Sequence, residues 1–206
     1  MGVEVSDVAV VGTGIIGSTL TRAWRSAQRD VVIGARDPKR RELQELAGET
    51  GAHIDGLAAA VARAPVIVLA IPGPAVPDLA ATFGAALEGK IVIDASNDVG
   101  GATLNGFAAI TAAARTVHYF RAFNTVGWEN FANPRYGSTV ADLFYTGPSG
   151  VPQDVVERLI DDVGLRPVYV GDNDQIAIVD GLTKLWFALA FNQGRGRGIA
   201  FKLLER

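Results

Sequence analysis

The chain has 206 residues, a formal net charge of −3 and a sequence pI near 5.4. That length suits one domain, or one domain with an appendage, and the acidic balance argues against general nucleic-acid binding. With no cysteine, disulfides, thiolate metal sites and a cysteine nucleophile are excluded, and a reducing cytoplasm fits.

The N-terminus, MGVEVSDVAV, lacks a basic region followed by a long apolar core, so it does not read as a signal peptide. Gly2 with Ser6 matches a myristoylation pattern formally. A strand follows almost at once and leaves little room for an anchor. No apolar run is long enough to span a bilayer, so no membrane partner is expected.

Val8 to Val11 is a short apolar, β-branched run and reads as a buried strand. Gly12-Thr13-Gly14-Ile15-Ile16-Gly17 follows in the pattern G-x-G-x-x-G. Ile16, Leu20, Ala23, Trp24 and Ala27 then recur on one helical face. Val31 to Gly34 is a second strand. This β-turn-α-β unit is a dinucleotide grip. Gly12 permits the tight turn, Gly14 lets a pyrophosphate approach the backbone, and Gly17 lets helix and strand pack closely. The free N–H groups at the helix start face the phosphates.

An NAD-binding unit usually ends its second strand in an acid that takes the ribose hydroxyls. Here Gly34 and Ala35 are followed by Arg36, with Lys39, Arg40 and Arg41 close behind. A carboxylate would repel a 2′-phosphate, whereas arginine holds one in a forked contact. The charge logic favours NADP(H) over NAD(H). Asp37 and Pro38 read as the cap and first position of a helix over 38–47.

Ala52 to Ile54 reads as a short strand and Gly56 to Arg63 as a helix. Val66 to Ile71 (VIVLAI) is a strand buried on both faces, stopped by Pro72-Gly73-Pro74. A helix is expected over Pro77–Leu87, a strand over Lys90–Ser96 and a helix over Leu104–Ala114. Thr116 to Phe123 reads as a strand ending at Asn124-Thr125. Strands at Asp142–Thr146 and Pro167–Val170 flank a helix over Gln153–Val163. Asp174 to Arg206 reads as mostly helical. The alternation predicts a Rossmann-type, doubly wound parallel α/β sheet over residues 1–172, with a C-terminal helical segment over 173–206.

In such sheets ligands collect at the carboxyl ends of the strands. Those ends supply Thr13, Arg36, Ile71-Pro72, Ser96-Asn97 and Asn124-Thr125. The asparagines are equally well explained as turn residues. His118 reads as a core or surface histidine, and His53 has no partner in the sequence. Two histidines without a carboxylate cluster make no metal site. Lys184 would be catalytic in a K-x-x-x-N pattern, but residue 188 is alanine, so it reads as a helix-surface charge. Leu182, Leu185, Trp186 and Leu189, widened by Phe187 and Phe191, suggest core or the contact of a homodimer. Gly194-Arg195-Gly196-Arg197-Gly198 reads as a close-packed or flexible helix segment.

GTGIIG, IGARDPKR, KIVIDASND, RAFNTVGWENFANPRYG and WFALAFNQGRGRGIAFKLL together resemble the NADP-dependent coenzyme F-420 oxidoreductase family. The dinucleotide domain of membrane ferric reductases is similar too. The resemblance implies hydride transfer between NADP(H) and a deazaflavin, a small-molecule redox co-substrate. It implies that Thr13 and Ile15 meet the pyrophosphate, and that Arg36 with Arg40 meets the 2′-phosphate. Ile71 and Pro72 would line the nicotinamide side, and Asn97, Asn124 and Thr125 the cleft. Family members often carry Ser or Thr before that arginine; here it is Ala35, which weakens the selectivity implied for NADP. Hydride transfer between stacked rings rests on proximity and orientation, so no catalytic side chain is assigned. Two alternatives stand beside this reading. One is an NADPH reductase of another small acceptor, such as a flavin or an imine. The other is a non-enzymatic NADP(H)-sensing module.

Overall fold

The computed structural model describes residues 7–206. Gly2 and Ser6 lie outside them. The chain divides into two compact units, one up to Tyr119 and one from Phe120 to Arg206.

The first unit contains β1 (Val8–Val11), α1 (Ile15–Ser26), β2 (Val31–Ala35), α2 (Arg41–Thr50) and β3 (His53–Gly56). It continues through α3 (Leu57–Arg63), β4 (Val66–Leu69), α4 (Val76–Leu87), β5 (Ile91–Asp94) and α5 (Phe107–Ala113). Its strands run in the order β5-β4-β1-β2-β3, all parallel. Val8 lies between Val31 and Val66 in register. Every residue of β1, β2, β4 and β5 is buried, as continuous apolar runs require in a sheet covered on both faces. Right-handed crossovers reverse their winding after β3, so helices cover opposite faces. The doubly wound α/β expectation is met.

Gly12 has φ +119°, and a Cβ there would sit 2.2 Å from the Ala70 carbonyl oxygen. The turn after β1 and the turn after β4 therefore touch through a position only glycine fills. Leu20 and Trp24 of α1 are fully buried over the sheet. Lys90 donates from Nζ to the carbonyls of Val61 (2.6 Å) and Ala64 (2.7 Å), closing the open C-terminal end of α3. Burial pushes its ammonium pKa down. His53 has a partner that local sequence did not reveal, with Nε2 3.5 Å from Asp30 Oδ1.

Several boundaries differ from expectation: the strand expected over Val66–Ile71 ends at Leu69, and the one expected over Ala52–Ile54 is His53–Gly56. The helix expected over 38–47 is Arg41–Thr50. Asp37 spends its carboxylate on the Lys39 N–H (3.1 Å), which makes a turn rather than a helix cap. The strand expected to reach Ser96 stops at Asp94, whose side chain takes the Ser96 N–H. The helix expected over 104–114 is Phe107–Ala113.

The strand β6 (His118–Arg121) carries the chain from the first unit into the second. It ends two residues short of expectation because buried Phe123 takes φ 67°, a left-handed conformation costing about 1–2 kcal/mol. Then come α6 (Glu129–Ala132), a hairpin of β7 (Arg135–Tyr136) and β8 (Thr139–Val140), β9 (Asp142–Thr146) and α7 (Val151–Asp162). β10 (Arg166–Gly171) and α8 (Ile176–Phe187) follow. β9 is parallel to β10 but antiparallel to β6, with Arg121 opposite Thr146. The link from β6 to β9 is a short helix and a hairpin, so no full crossover helix forces a parallel pair. Arg121 is fully buried and donates to Asp180 of α8 at 2.8 Å.

The helical expectation for the C-terminus holds as far as Asn192 and fails beyond it. α8 passes into a π-helical turn over Ala188–Asn192, and residues 193–206 are irregular. Gly194 and Gly196 have φ 65° and 76°, which breaks the helix. Arg197 donates to Glu129 Oε1 at 2.7 Å, with its guanidinium 5.6 Å from the Trp186 ring centroid. Fully buried Asp142 then fastens the tail. It accepts from Lys202 Nζ (2.7 Å) and the Leu203 N–H (2.6 Å), and from Arg166 at two 2.7 Å contacts.

Burial pushes the Asp142 carboxyl up, but the hydrogen bonds from Arg166, Lys202 and Leu203 outweigh it and hold the pKa below the ordinary range. Its stabilisation is therefore present above the unfolded carboxyl pKa and lost as pH falls through the lower folded one. Asp142→Asn is expected to cost about 3 kcal/mol, allowing for partly exposed Arg166. Thermal melts at pH 7 should show a drop of roughly 6–12 °C. An unchanged melt would leave the tail without this fastening.

Among the described residues no helix is long and apolar enough to cross a membrane.

Candidate functional site

The carboxyl ends of β1, β2 and β4 open onto a cleft of about 600 Å³ within the first unit. Its floor is Val11-Gly12-Thr13-Gly14, one wall is Gly34-Ala35-Arg36, and the other is Ala70-Ile71-Pro72 with the first turns of α4. The order of the strands explains the location. The chain runs from β1 out to β2 and β3 and then returns to β4 on the other side of β1, so beyond the Gly12–Ala70 contact the loops after β1 and β4 part and leave a crevice.

The floor suits a phosphate. Gly14 precedes α1 in extended backbone, φ −78° and ψ −174°. The N–H groups of Ile15, Ile16 and Gly17 begin that helix, and such groups have no intrahelical acceptor. The first turn carries no acid, so the positive end of the helix is left uncompensated by its own residues. A Cβ on Gly14 would meet nothing of the protein within 4 Å, which leaves that space to a ligand. A Cβ on Gly17 would stand 2.1 Å from the Gly12 carbonyl oxygen, so Gly17 serves the close packing of turn and helix.

The wall beyond β2 suits an anion. Ala35 is buried at the strand's end and Arg36 emerges exposed beside it. The nearest acid in sequence, Asp37, is already turned to its own backbone. Arg36 and Asp78 are the ionisable residues among those lining the cleft.

The structure thus gathers Gly12, Thr13, Gly14, Ala35, Arg36, Ile71 and Pro72 around one cleft. Ile15 is exposed at the mouth of α1, and Ile16 and Gly17 complete its first turn. Arg40 is exposed with Nε 3.6 Å from Glu42 Oε2, and it does not line the cleft. Asn97 is half-buried beyond the cleft lining, in the loop after β5. Asn124 and Thr125 belong to the second unit and are buried there. Lys184 is an exposed helix residue.

Sequence reasoning missed Leu57, Ala75, Asp78, Leu79, Thr82 and Phe83, which also line the cleft. Asp78, Leu79, Thr82 and Phe83 form one face of α4. The available signal was the position of that helix directly after a central strand, where its first turns must border the ligand end of the sheet.

A family model described as NADP oxidoreductase, coenzyme F420-dependent, matches residues 7–98. No curated protein matches the chain in sequence. Among solved structures, a candidate F420-dependent NADP reductase from Arthrobacter sp. FB24 is 24% identical, with TM-score 0.83. The match covers 97% of this chain and 100% of that one. A Streptomyces aurantiacus imine reductase is 17% identical with TM-score 0.69, over 91% of this chain and 63% of that one. An Aspergillus terreus reductive aminase solved with NADPH and ethyl-5-oxohexanoate is 18% identical with TM-score 0.60, over 95% and 68%. These structural likenesses establish a Rossmann-like fold. The model of the coenzyme F420-dependent NADP oxidoreductase family thus matches the stretch that holds the glycine turn, Arg36 and the Ile71-Pro72 wall.

Proposed function

We propose that the protein is an NADP(H)-dependent oxidoreductase that exchanges a hydride with a deazaflavin of the F-420 type. The observation that carries the cofactor half is the pairing of an acid-free helix start at Gly14 with Arg36 at the end of β2, on two sides of one cleft. The pyrophosphate would lie on the N–H groups after Gly14, and the 2′-phosphate against Arg36. The nicotinamide would then run toward β4 and β5, beside Ile71 and Pro72. Asn97 is assigned to orienting the nicotinamide ring. When bound, NADPH supplies a hydride, and the acceptor takes it together with one proton from water. The chain's part is to hold two rings in register and to keep water from between them.

The acceptor half rests on the family match and on the resemblance of the whole chain. An imine or flavin acceptor is the second reading, favoured by the fold shared with the Streptomyces imine reductase. A homodimer is also part of this reading. It rests on Ile178, Leu185 and Phe191, exposed along the C-terminal helical segment, and sedimentation would test it. A cytoplasmic setting completes it.

An anaerobic assay with NADPH and oxidised coenzyme F-420 tests the proposal, with NADH and plain flavin as controls. Bleaching of the deazaflavin by NADPH alone is the expected result. Tight NADPH binding with no turnover of any ring acceptor would favour the sensing module instead.

A further inference from the structure

Asp94 closes β5 and is fully buried, yet no role in binding or chemistry has so far fallen to it. An ionised carboxylate in such a place requires several donors. Its Oδ1 accepts from the Ser96 N–H (2.9 Å) and the Ser96 hydroxyl (2.5 Å). Its Oδ2 accepts from the Gly106 N–H (2.8 Å) and the Tyr119 hydroxyl (2.6 Å). Those four donors come from both ends of one loop and from the next strand. Asp94 therefore pins residues 96–106 at their first and last members.

That loop is also tied to itself and to the cleft wall. The Asp98 N–H donates to the Leu104 carbonyl at 2.9 Å, closing the loop. The Asn97–Asp98 peptide lies against Gly73, where a Cβ would stand 2.3 Å from Asp98 N. At the other end, a Cβ on Gly106 would stand 2.4 Å from Val76 Cγ1. The loop thus abuts both ends of the segment 73–76, which joins Ile71-Pro72 to the cleft-lining face of α4. At both contacts there is no room for a Cβ, so a shift of the loop toward the wall presses directly on residues 73–76.

We propose that Asp94 is a positioning residue: its carboxylate fixes the loop 96–106, and through Gly73 and Val76 it sets the wall beside the nicotinamide half of the cofactor. The proposal rests on the NADP(H) reading of the cleft. It separates the two halves of the ligand, since the phosphate floor and Arg36 belong to β1 and β2 and make no use of the loop. Asp94→Asn places an amide donor among four donors. Tyr119→Phe removes one donor and leaves the carboxylate.

The test compares dissociation constants of NADPH and of 2′,5′-ADP, which carries the adenosine half alone. In Asp94→Asn, NADPH should bind about tenfold more weakly while 2′,5′-ADP stays within about twofold. Tyr119→Phe should show a smaller change of the same kind, and it carries the test if Asp94→Asn does not fold. Equal weakening of both ligands in Tyr119→Phe, or none of either, overturns the positioning role. Wild-type protein that binds neither ligand overturns the cofactor reading beneath it.

Discussion

Arg36→Glu is expected to reverse the choice between NADPH and NADH. The guanidinium stands exposed at the end of β2, on the wall opposite the Ile71-Pro72 turn. Charge-assisted contacts to a phosphate are worth about 1.5–3 kcal/mol. The substitution removes them, and a carboxylate in the same place repels the 2′-phosphate while accepting from the ribose hydroxyls of NADH. Together these amount to about 3–4 kcal/mol in the ratio of affinities, or more than roughly 100-fold. Exposure makes part of the effect salt-dependent, so the titrations belong at low and moderate ionic strength. The buried Ala35 offers no second hydroxyl donor, so little selectivity should survive the loss of Arg36. A ratio that stayed put would move the 2′-phosphate away from this wall.

Gly14→Val should leave the fold in place and abolish NADPH binding. The three motif glycines divide by what surrounds them. At Gly12 and Gly17 a Cβ would run into backbone oxygen at 2.2 and 2.1 Å, so substitution there strikes the protein itself. At Gly14 the space is open and the backbone is extended, a conformation valine adopts readily. The cost to the helix start is about 1 kcal/mol, a melting shift of roughly 2–4 °C. The two methyl groups would occupy the space assigned to the pyrophosphate. Retained binding in a normally folded variant would falsify the phosphate assignment at this turn. Gly17→Ala is the contrasting control, for it should lower stability before it touches affinity.

The parts of the fold legible in the sequence are those whose signal is local. Val66 to Leu69 is apolar at every position, and it is a central strand buried on every residue. The turn Gly12 to Gly17 and the cation at Arg36 stood out because chemistry and spacing coincide within one β-α-β unit. The errors occur where a distant partner decides. Asp37 looked like a helix cap, but its carboxylate closes a turn, and the helix waits until Arg41. The tail after Asn192 looked helical by composition. Its path is instead set by Glu129, Asp142 and Arg166, which lie far away in sequence. The face of α4 that lines the cleft was hidden for a similar reason: Asp78 and Thr82 look like ordinary surface residues until the helix is placed beside β4.

The fastening of the tail to Asp142 also has a meaning for the order of assembly. In the first unit every strand, as it is made, finds a partner already made: β2 on β1, β3 on β2, β4 on β1 and β5 on β4. A chain growing from its N-terminus can close that sheet strand by strand. The second unit adds β9 to β6 and β10 to β9 in the same way, but its tail docks last. Asp142 meets Lys202 and Leu203, 60 and 61 residues further along. Until those residues emerge, the carboxylate at the start of β9 has only Arg166 to answer it, and its remaining acceptor sites stay in water. An incomplete chain therefore carries a finished first unit and a second unit in which the Asp142 N–H and part of its carboxylate lack partners, and it is this second unit that a chaperone would have reason to cover.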